Sequence, residues 1–150
     1  MSHPKRKILV IEDSPVAQEI IKKFLEKNGY GVLSAWDGRE GVEMAKGESP
    51  DAILMDVILP DGDGKKIAAR LKENPETKKI PIIFTTSTVN FKDDKGFEAF
   101  EIDGVLYRAF AKPLHQQRVL STLRKEINRS KAGGRLPSQI KTYLKFKSSP

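Results

Sequence analysis

Four places in this chain carry side chains suited to holding a hard cation and accepting a phosphoryl group: the acidic pair Glu12-Asp13, the lone acid Asp56, the hydroxyl run Thr85-Thr86-Ser87-Thr88, and Lys112. Each follows a short apolar run, so each is expected where a strand empties into a loop. Three carboxylates brought together repel one another and raise their own pKa values unless a cation relieves them. Oxygen ligands with no His or Cys among them suit Mg²⁺, which keeps several waters and takes only one or two carboxylates directly. A cation, a lysine and a hydroxyl together clamp a transferring phosphoryl group. Asp56 is then the nucleophile, and the product is an aspartyl phosphate.

The elements that must bring these groups together are strands and helices in strict alternation. Residues 7–11, 31–35, 51–56, 80–84 and 105–111 read as strands, and the run Ile53-Leu54-Met55 reads as one buried on both faces. Ser14 as N-cap and Pro15 at the first helical position open a helix that Asn28-Gly29 stops. Its apolar residues Val16, Ile20, Ile21, Phe24 and Leu25 are expected to bury one stripe. Asp37-Gly38 turns into a second helix carrying Val42, Met44 and Ala45; Ile67, Ala68 and Leu71 mark a third, which Asn74-Pro75 ends. Phe97, Phe100 and Glu101 suggest a helix from about 93 to 102, and Val119, Leu120, Leu123 and Ile127 mark a last helix over 114–128. This alternation predicts parallel βαβ units with right-handed crossovers, a three-layer α/β sandwich. All the chemical groups then project at one sheet edge, where open α/β sheets form their ligand crevice.

Composition narrows the function classes. The 150 residues suit one domain with a sizeable core, and 38% hydrophobic with 31% charged residues is a globular balance. The absence of Cys excludes disulfides and thiolate metal sites, and no apolar run has the length of a signal core or a membrane span, so a cytoplasmic protein is expected. Of the net charge of +7, five units come from Lys131, Arg135, Lys141, Lys145 and Lys147 in a segment without acids, which leaves +2 for residues 1–130. The division expected is a domain over 5–129 and a basic tail over 130–150. In that tail Ala132-Gly133-Gly134 reads as a linker, and a short helix carrying Ile140, Tyr143 and Leu144 starts near Pro137. Disordered terminus, arm for nucleic acid or anionic lipid, and start of a further domain are the readings open for it.

Taken in order, Lys7-Ile8-Leu9-Val10-Ile11-Glu12-Asp13-Ser14, the stretch from Ile53-Leu54-Met55-Asp56 to Asp61-Gly62-Asp63-Gly64, Ile80-Pro81-Ile82-Ile83-Phe84-Thr85-Thr86-Ser87 and Ala111-Lys112-Pro113 resemble the receiver domain of two-component response regulators. The resemblance spans roughly residues 5–128. It implies a flavodoxin-like (βα)5 sandwich with parallel strand order 2-1-3-4-5. It implies Asp13 as a direct Mg²⁺ ligand, Glu12 as a ligand through water, Asp56 as phosphoacceptor and metal ligand, and the backbone carbonyl of Ile58 as a further ligand. Thr86 matches the hydroxyl that bonds a phosphoryl oxygen, with Thr85, Ser87 and Thr88 as neighbours of the same chemistry, and Lys112 matches the lysine that pairs with it. A cis bond between Lys112 and Pro113 is also implied. A sensor histidine kinase or phosphotransfer protein is the implied donor, a downstream protein the implied receiver of the signal, and the fourth-helix/fifth-strand face a dimer surface.

Singly, each residue has a plainer explanation: acids near a helix N-terminus, a turn aspartate, a strand-capping lysine. Two positions depart from the receiver pattern. Ala109 stands where a Tyr or Phe is usual, with Phe110 beside it and Tyr107 two residues earlier, and the 26 residues from Thr86 to Lys112 exceed the usual gap, the extra length falling around the fourth helix. A different class of function is a phosphate-independent module that keeps the fold and binds nucleic acid or an acidic partner through its basic tail. A metal-dependent phosphatase needs a second acid for its leaving group, which Val57-Ile58 does not supply; signalling rather than enzymatic turnover is expected.

Overall fold

Largely apolar runs build the parallel strands β1 (Lys7–Ile11), β2 (Gly31–Ala35), β3 (Ala52–Asp56), β6 (Ile82–Thr86) and β8 (Val105–Ala111). The computed structural model describes residues 5–87 and 97–132, the side chains of 97–100 excepted. After β3 a short ribbon forms from β4 (Ile58–Leu59) and β5 (Gly62–Asp63). The helices are α1 (Pro15–Lys27), α2 (Gly38–Glu48), α3 (Gly64–Glu73) and α4 (Gln116–Lys131), and the remaining strand is β7 (Phe97–Ile102). The main sheet runs β2-β1-β3-β6-β8-β7. Its first five strands are parallel and reproduce the expected 2-1-3-4-5 order of a flavodoxin-like fold.

Alternation along the strands divides the core into two layers. Leu9, Ile11, Ile53, Met55 and Phe84 face α2 and α3, while Ile8, Val10, Leu54 and Ile83 face α1 and α4. Each such buried Leu, Ile or Phe stabilises the fold by about 1.5–3 kcal/mol, so the sheet is a rigid frame for whatever projects from its edge. At the edge away from the acids, Asp51 accepts the Lys7 N–H at 2.8 Å and pairs with Lys131 Nζ at 3.0 Å, tying the starts of β1 and β3 to the end of α4.

Three expectations are corrected. In α1 the buried residues are Gln18, Ile21, Phe24 and Leu25, whereas Val16 and Ile20 are 69% and 53% exposed. At 3.6 residues per turn one stripe cannot hold both 16/20 and 21/25, and the stripe that meets the sheet includes a glutamine, Gln18. Second, β6 begins at Ile82 because Pro81 has no N–H to donate, although its carbonyl still accepts from Ile53 N at 2.9 Å. Third, the described part of the expected 93–102 helix is strand β7, antiparallel to β8 from Phe97 opposite Phe110 to Ile102 opposite Val105.

Asp103 and Gly104 join these two strands with φ of 51° and 80°, left-handed at both turn positions. That is the requirement of a two-residue type I′ hairpin, which Asp-Gly meets best. The spacing of Phe97 and Phe100 imitates a helix, but the hairpin turn and the edge of β8 decide the outcome. Residues 93–96 of that expectation, and the expected linker and helix beyond Ala132, lie outside the described residues. Among the described residues no helix is long and apolar enough to cross a membrane.

Candidate functional site at the sheet edge

Strand β1 ends at Ile11, which places Glu12 and Asp13 at the C-terminal edge of the sheet. Glu12 is held on every side: its N–H donates to Ala35 O at 3.0 Å, and its carboxylate accepts the Ser14 N–H at 3.0 Å and also bonds Lys112 Nζ. Ser14 caps α1 by accepting the Ala17 N–H at 3.2 Å. Asp13 is exposed.

Asp56 is the last residue of β3 and 5% exposed. Its Oδ1 accepts the Ile58 N–H at 3.0 Å, and its Oδ2 accepts from Lys112 Nζ at 2.8 Å. Gly64 is forced by close approach: a Cβ there would collide with the Asp56 carbonyl oxygen. Lys112 follows β8, donates its backbone N–H to Thr86 O at 2.8 Å, and precedes Pro113 through the cis bond that the resemblance implied.

Glu12, Asp13 and Asp56 each offer one carboxylate oxygen within 4.8 Å of the others. At an effective dielectric of about 20, two unit charges that far apart repel by roughly 3–4 kcal/mol. The Lys112 ammonium between Glu12 and Asp56 offsets part of this. Burial pushes the Glu12 carboxyl above the usual range, while Lys112 and the Ser14 N–H pull it back and Asp56 adds to the rise. At Lys112 burial works downward, but hydrogen bonds to Asp56 and then Glu12 outweigh it and hold the ammonium above its ordinary value. The surplus is still negative, and three hard oxygen donors without His or Cys match the chemistry of Mg²⁺.

Glu12, Asp13, Asp56 and Lys112, separated by up to a hundred positions in the chain, therefore meet as expected. Thr86 is 2% exposed at the end of β6, where the register sets Thr85 opposite Asp56 and Thr86 opposite Ala111. Ile58 is 56% exposed, with its N–H already on Asp56. Ala109 is fully buried opposite Phe84. The two candidate aromatics lie in different layers. Tyr107 packs edge-on against Phe84 with centroids 5.8 Å apart, its hydroxyl pushed up to about 12 by burial and Asp103, while Phe110 faces α1 and α4.

Sequence reasoning missed Gln18, whose amide lies beneath the acidic loop, and Asp61, which accepts the Gly38 and Arg39 N–H groups at 2.8 and 2.9 Å and so fastens the loop after β3 to α2. A polar residue at the 18-21-25 spacing of the buried stripe was the available signal for the first.

Comparison with known proteins agrees with this arrangement. Residues 8–124 match the model of the response regulator receiver domain. PilH of Pseudomonas aeruginosa is 38% identical over 81 residues, 54% of this chain and 67% of PilH. The DNA-binding dual master transcriptional regulator RpaA of Synechocystis is 30% identical over 136 residues, 90% of this chain but only 53% of RpaA, so the chain spans about half the length of that relative. The polar-differentiation response regulator DivK of Brucella anthropi is 27% identical over 79% of this chain and 94% of its own. Among solved structures, the receiver domain of a Pseudomonas aeruginosa sensor histidine kinase, with a magnesium ion coordinated in its active site cleft, superposes with a TM-score of 0.71 at 29% identity, covering 83% of this chain and 99% of that one. With the acids and lysine gathered at the C-terminal edge of a 2-1-3-4-5 sheet and the match running from β1 into α4, the chain belongs to the response regulator receiver domain family.

Proposed function

We propose that this receiver accepts a phosphoryl group on Asp56 from a histidine kinase or phosphotransfer protein in the presence of Mg²⁺ and signals through protein–protein contact. The observation that carries the reading is the convergence of Lys112 Nζ on both Asp56 and Glu12, with Asp13 completing three carboxylates within 4.8 Å. Asp13, Asp56 and the Ile58 carbonyl would hold the cation directly and Glu12 through water. When bound, the cation supplies charge neutralisation to the phosphoryl oxygens.

An Asp56 carboxylate oxygen attacks phosphorus; the bond from phosphorus to the donor nitrogen breaks, and the departing imidazole keeps the electron pair and takes up a proton. Lys112, held charged by its carboxylate partners, moves its attraction to a phosphoryl oxygen, and the Thr86 hydroxyl bonds another. Val16, Ile20 and Ile58 leave exposed apolar surface on α1 and β4, the elements that directly follow the acids, 69%, 53% and 56% accessible, which suits the docking of a donor protein.

The test is uptake from a small acyl-phosphate donor with Mg²⁺, read by intact mass. One phosphoryl increment is expected for the native chain and for Thr85→Ala, a slowed and short-lived increment for Thr86→Ala, and none for Asp56→Asn. Uptake by Asp56→Asn overturns the assignment.

A further inference from the structure

We propose that Gln18 is a positioning residue for the cation site: its side-chain amide sets the distance between the Glu12-Asp13 loop and Asp56. This rests on the reading of the site given above and adds a residue to it. Gln18 is 5% exposed on the buried stripe of α1, and its Nε2 donates to three backbone carbonyls, Val10 O, Glu12 O and Ala35 O, each at 3.0 Å. Two N–H groups are thus shared among the end of β1, the acidic loop and the end of β2. Ala35 O accepts a second bond from the Glu12 N–H, and Gln18's own N–H caps back onto Ser14 O at 2.9 Å. The loop that carries both acids is therefore gripped from below by one side chain.

The grip opposes a definite force. Glu12, Asp13 and Asp56 repel one another, and Asp13, being exposed, is held less by packing than its two buried neighbours. A loop fastened only at its ends would relax outward and widen the triangle of oxygens. The other half of the same amide shows what the position uses: Gln18 Oε1 is buried and accepts no hydrogen bond among the described residues. An apolar side chain of similar length fills the same space without stranding an acceptor. The donors, rather than the volume, are what this place in the fold employs. Groups that hydrogen-bond behind metal ligands carry much of a site's affinity although they never touch the ion.

The experiment compares the full chain with Gln18→Met, which keeps length and removes the donors, and with Ile21→Val, which loosens the same helix without touching the loop. Magnesium alone is titrated by calorimetry and followed through Trp36, the single tryptophan, next to Ala35. The dissociation constant for Mg²⁺ is expected to rise about tenfold or more in Gln18→Met and to stay at the native value in Ile21→Val. In the metal-free proteins, amide exchange at Glu12 is expected to accelerate in the first variant only. Should Gln18→Met not fold cooperatively, Gln18→Asn, whose shorter amide falls short of the three carbonyls, takes its place with the same expectation. A smaller rise in the donor-free variant, or an equal rise in Ile21→Val, overturns the role of Gln18. A native chain that binds no Mg²⁺ at all overturns the reading of the site and this inference with it.

Discussion

The two flanks of the sheet were built under different constraints. At the β1-β3 side, charges that repel must be held together, and the chain does so with redundant bonds: Glu12 has its N–H, carbonyl and carboxylate all engaged, and Asp56 has both oxygens engaged. At the β8 side Lys112 is the group of the site to be held among the described residues, and the chain there departs from the receiver pattern, with the antiparallel strand β7 added where a fourth helix was expected. The geometry of the acidic site and that of the β7-β8 edge are thus separable in this fold.

Breaking the first flank is expected to give the largest effects. Lys112→Met removes the cation between Glu12 and Asp56. Because the edge admits water, its cost is expected to be roughly 2–3 kcal/mol, below the 3–5 kcal/mol of a fully buried pair. Saturating Mg²⁺ should restore part of that loss, which chemical denaturation with and without the ion measures. Gly64→Ala drives a Cβ against the Asp56 carbonyl and is expected to cost about 1–3 kcal/mol while slowing uptake at Asp56; stability and uptake kinetics on one preparation check both.

The second flank should break without the chemistry noticing. Gly104→Val puts a β-branched residue at φ of 80°, at a cost of roughly 1–2 kcal/mol, and should speed amide exchange along β7 while uptake at Asp56 keeps its rate. A matching fall in uptake would show that the two flanks are coupled.

The smallest effect is acid lability away from both. Backbone N–H groups, Gly38 first, hold the Asp61 carboxyl below its ordinary value. Asp51 is also lowered: burial pushes it up, but the Lys7 N–H and Lys131 pull it further down. Carboxyls lowered in the folded state stabilise it above their unfolded value, and that contribution is lost as pH falls through the lowered one. Unfolding midpoints should therefore fall below about pH 3.8, the ordinary carboxyl value, and Asp61→Asn should flatten that acid limb.

The legibility of the chain follows the same division. Strands β1, β2 and β8 stand at their expected boundaries because β-branched runs bounded by turn residues leave little choice. The acids and the lysine were readable because strand ends in a parallel sheet share one edge. What was not readable depended on partners elsewhere. The phase of α1 turned on which side met the sheet, so Val16 and Ile20 were assigned to the wrong face and Gln18 was overlooked. Phe97 and Phe100 satisfied a helical spacing, and only the Asp103-Gly104 turn argued against it. There a two-residue signal outweighed a ten-residue pattern because β8 offered an edge to pair with.

The most direct test of the central claim is chemical trapping of the phosphorylated side chain. Borohydride reduces an acyl phosphate to an alcohol and so converts a phosphorylated aspartate to homoserine, which tandem mass spectrometry places in the sequence. After treatment with an acyl-phosphate donor, homoserine is predicted at position 56 and nowhere else, and only when Mg²⁺ is present. Homoserine at Asp13 or Asp61, or at position 56 equally in the presence of a chelator, would contradict the account.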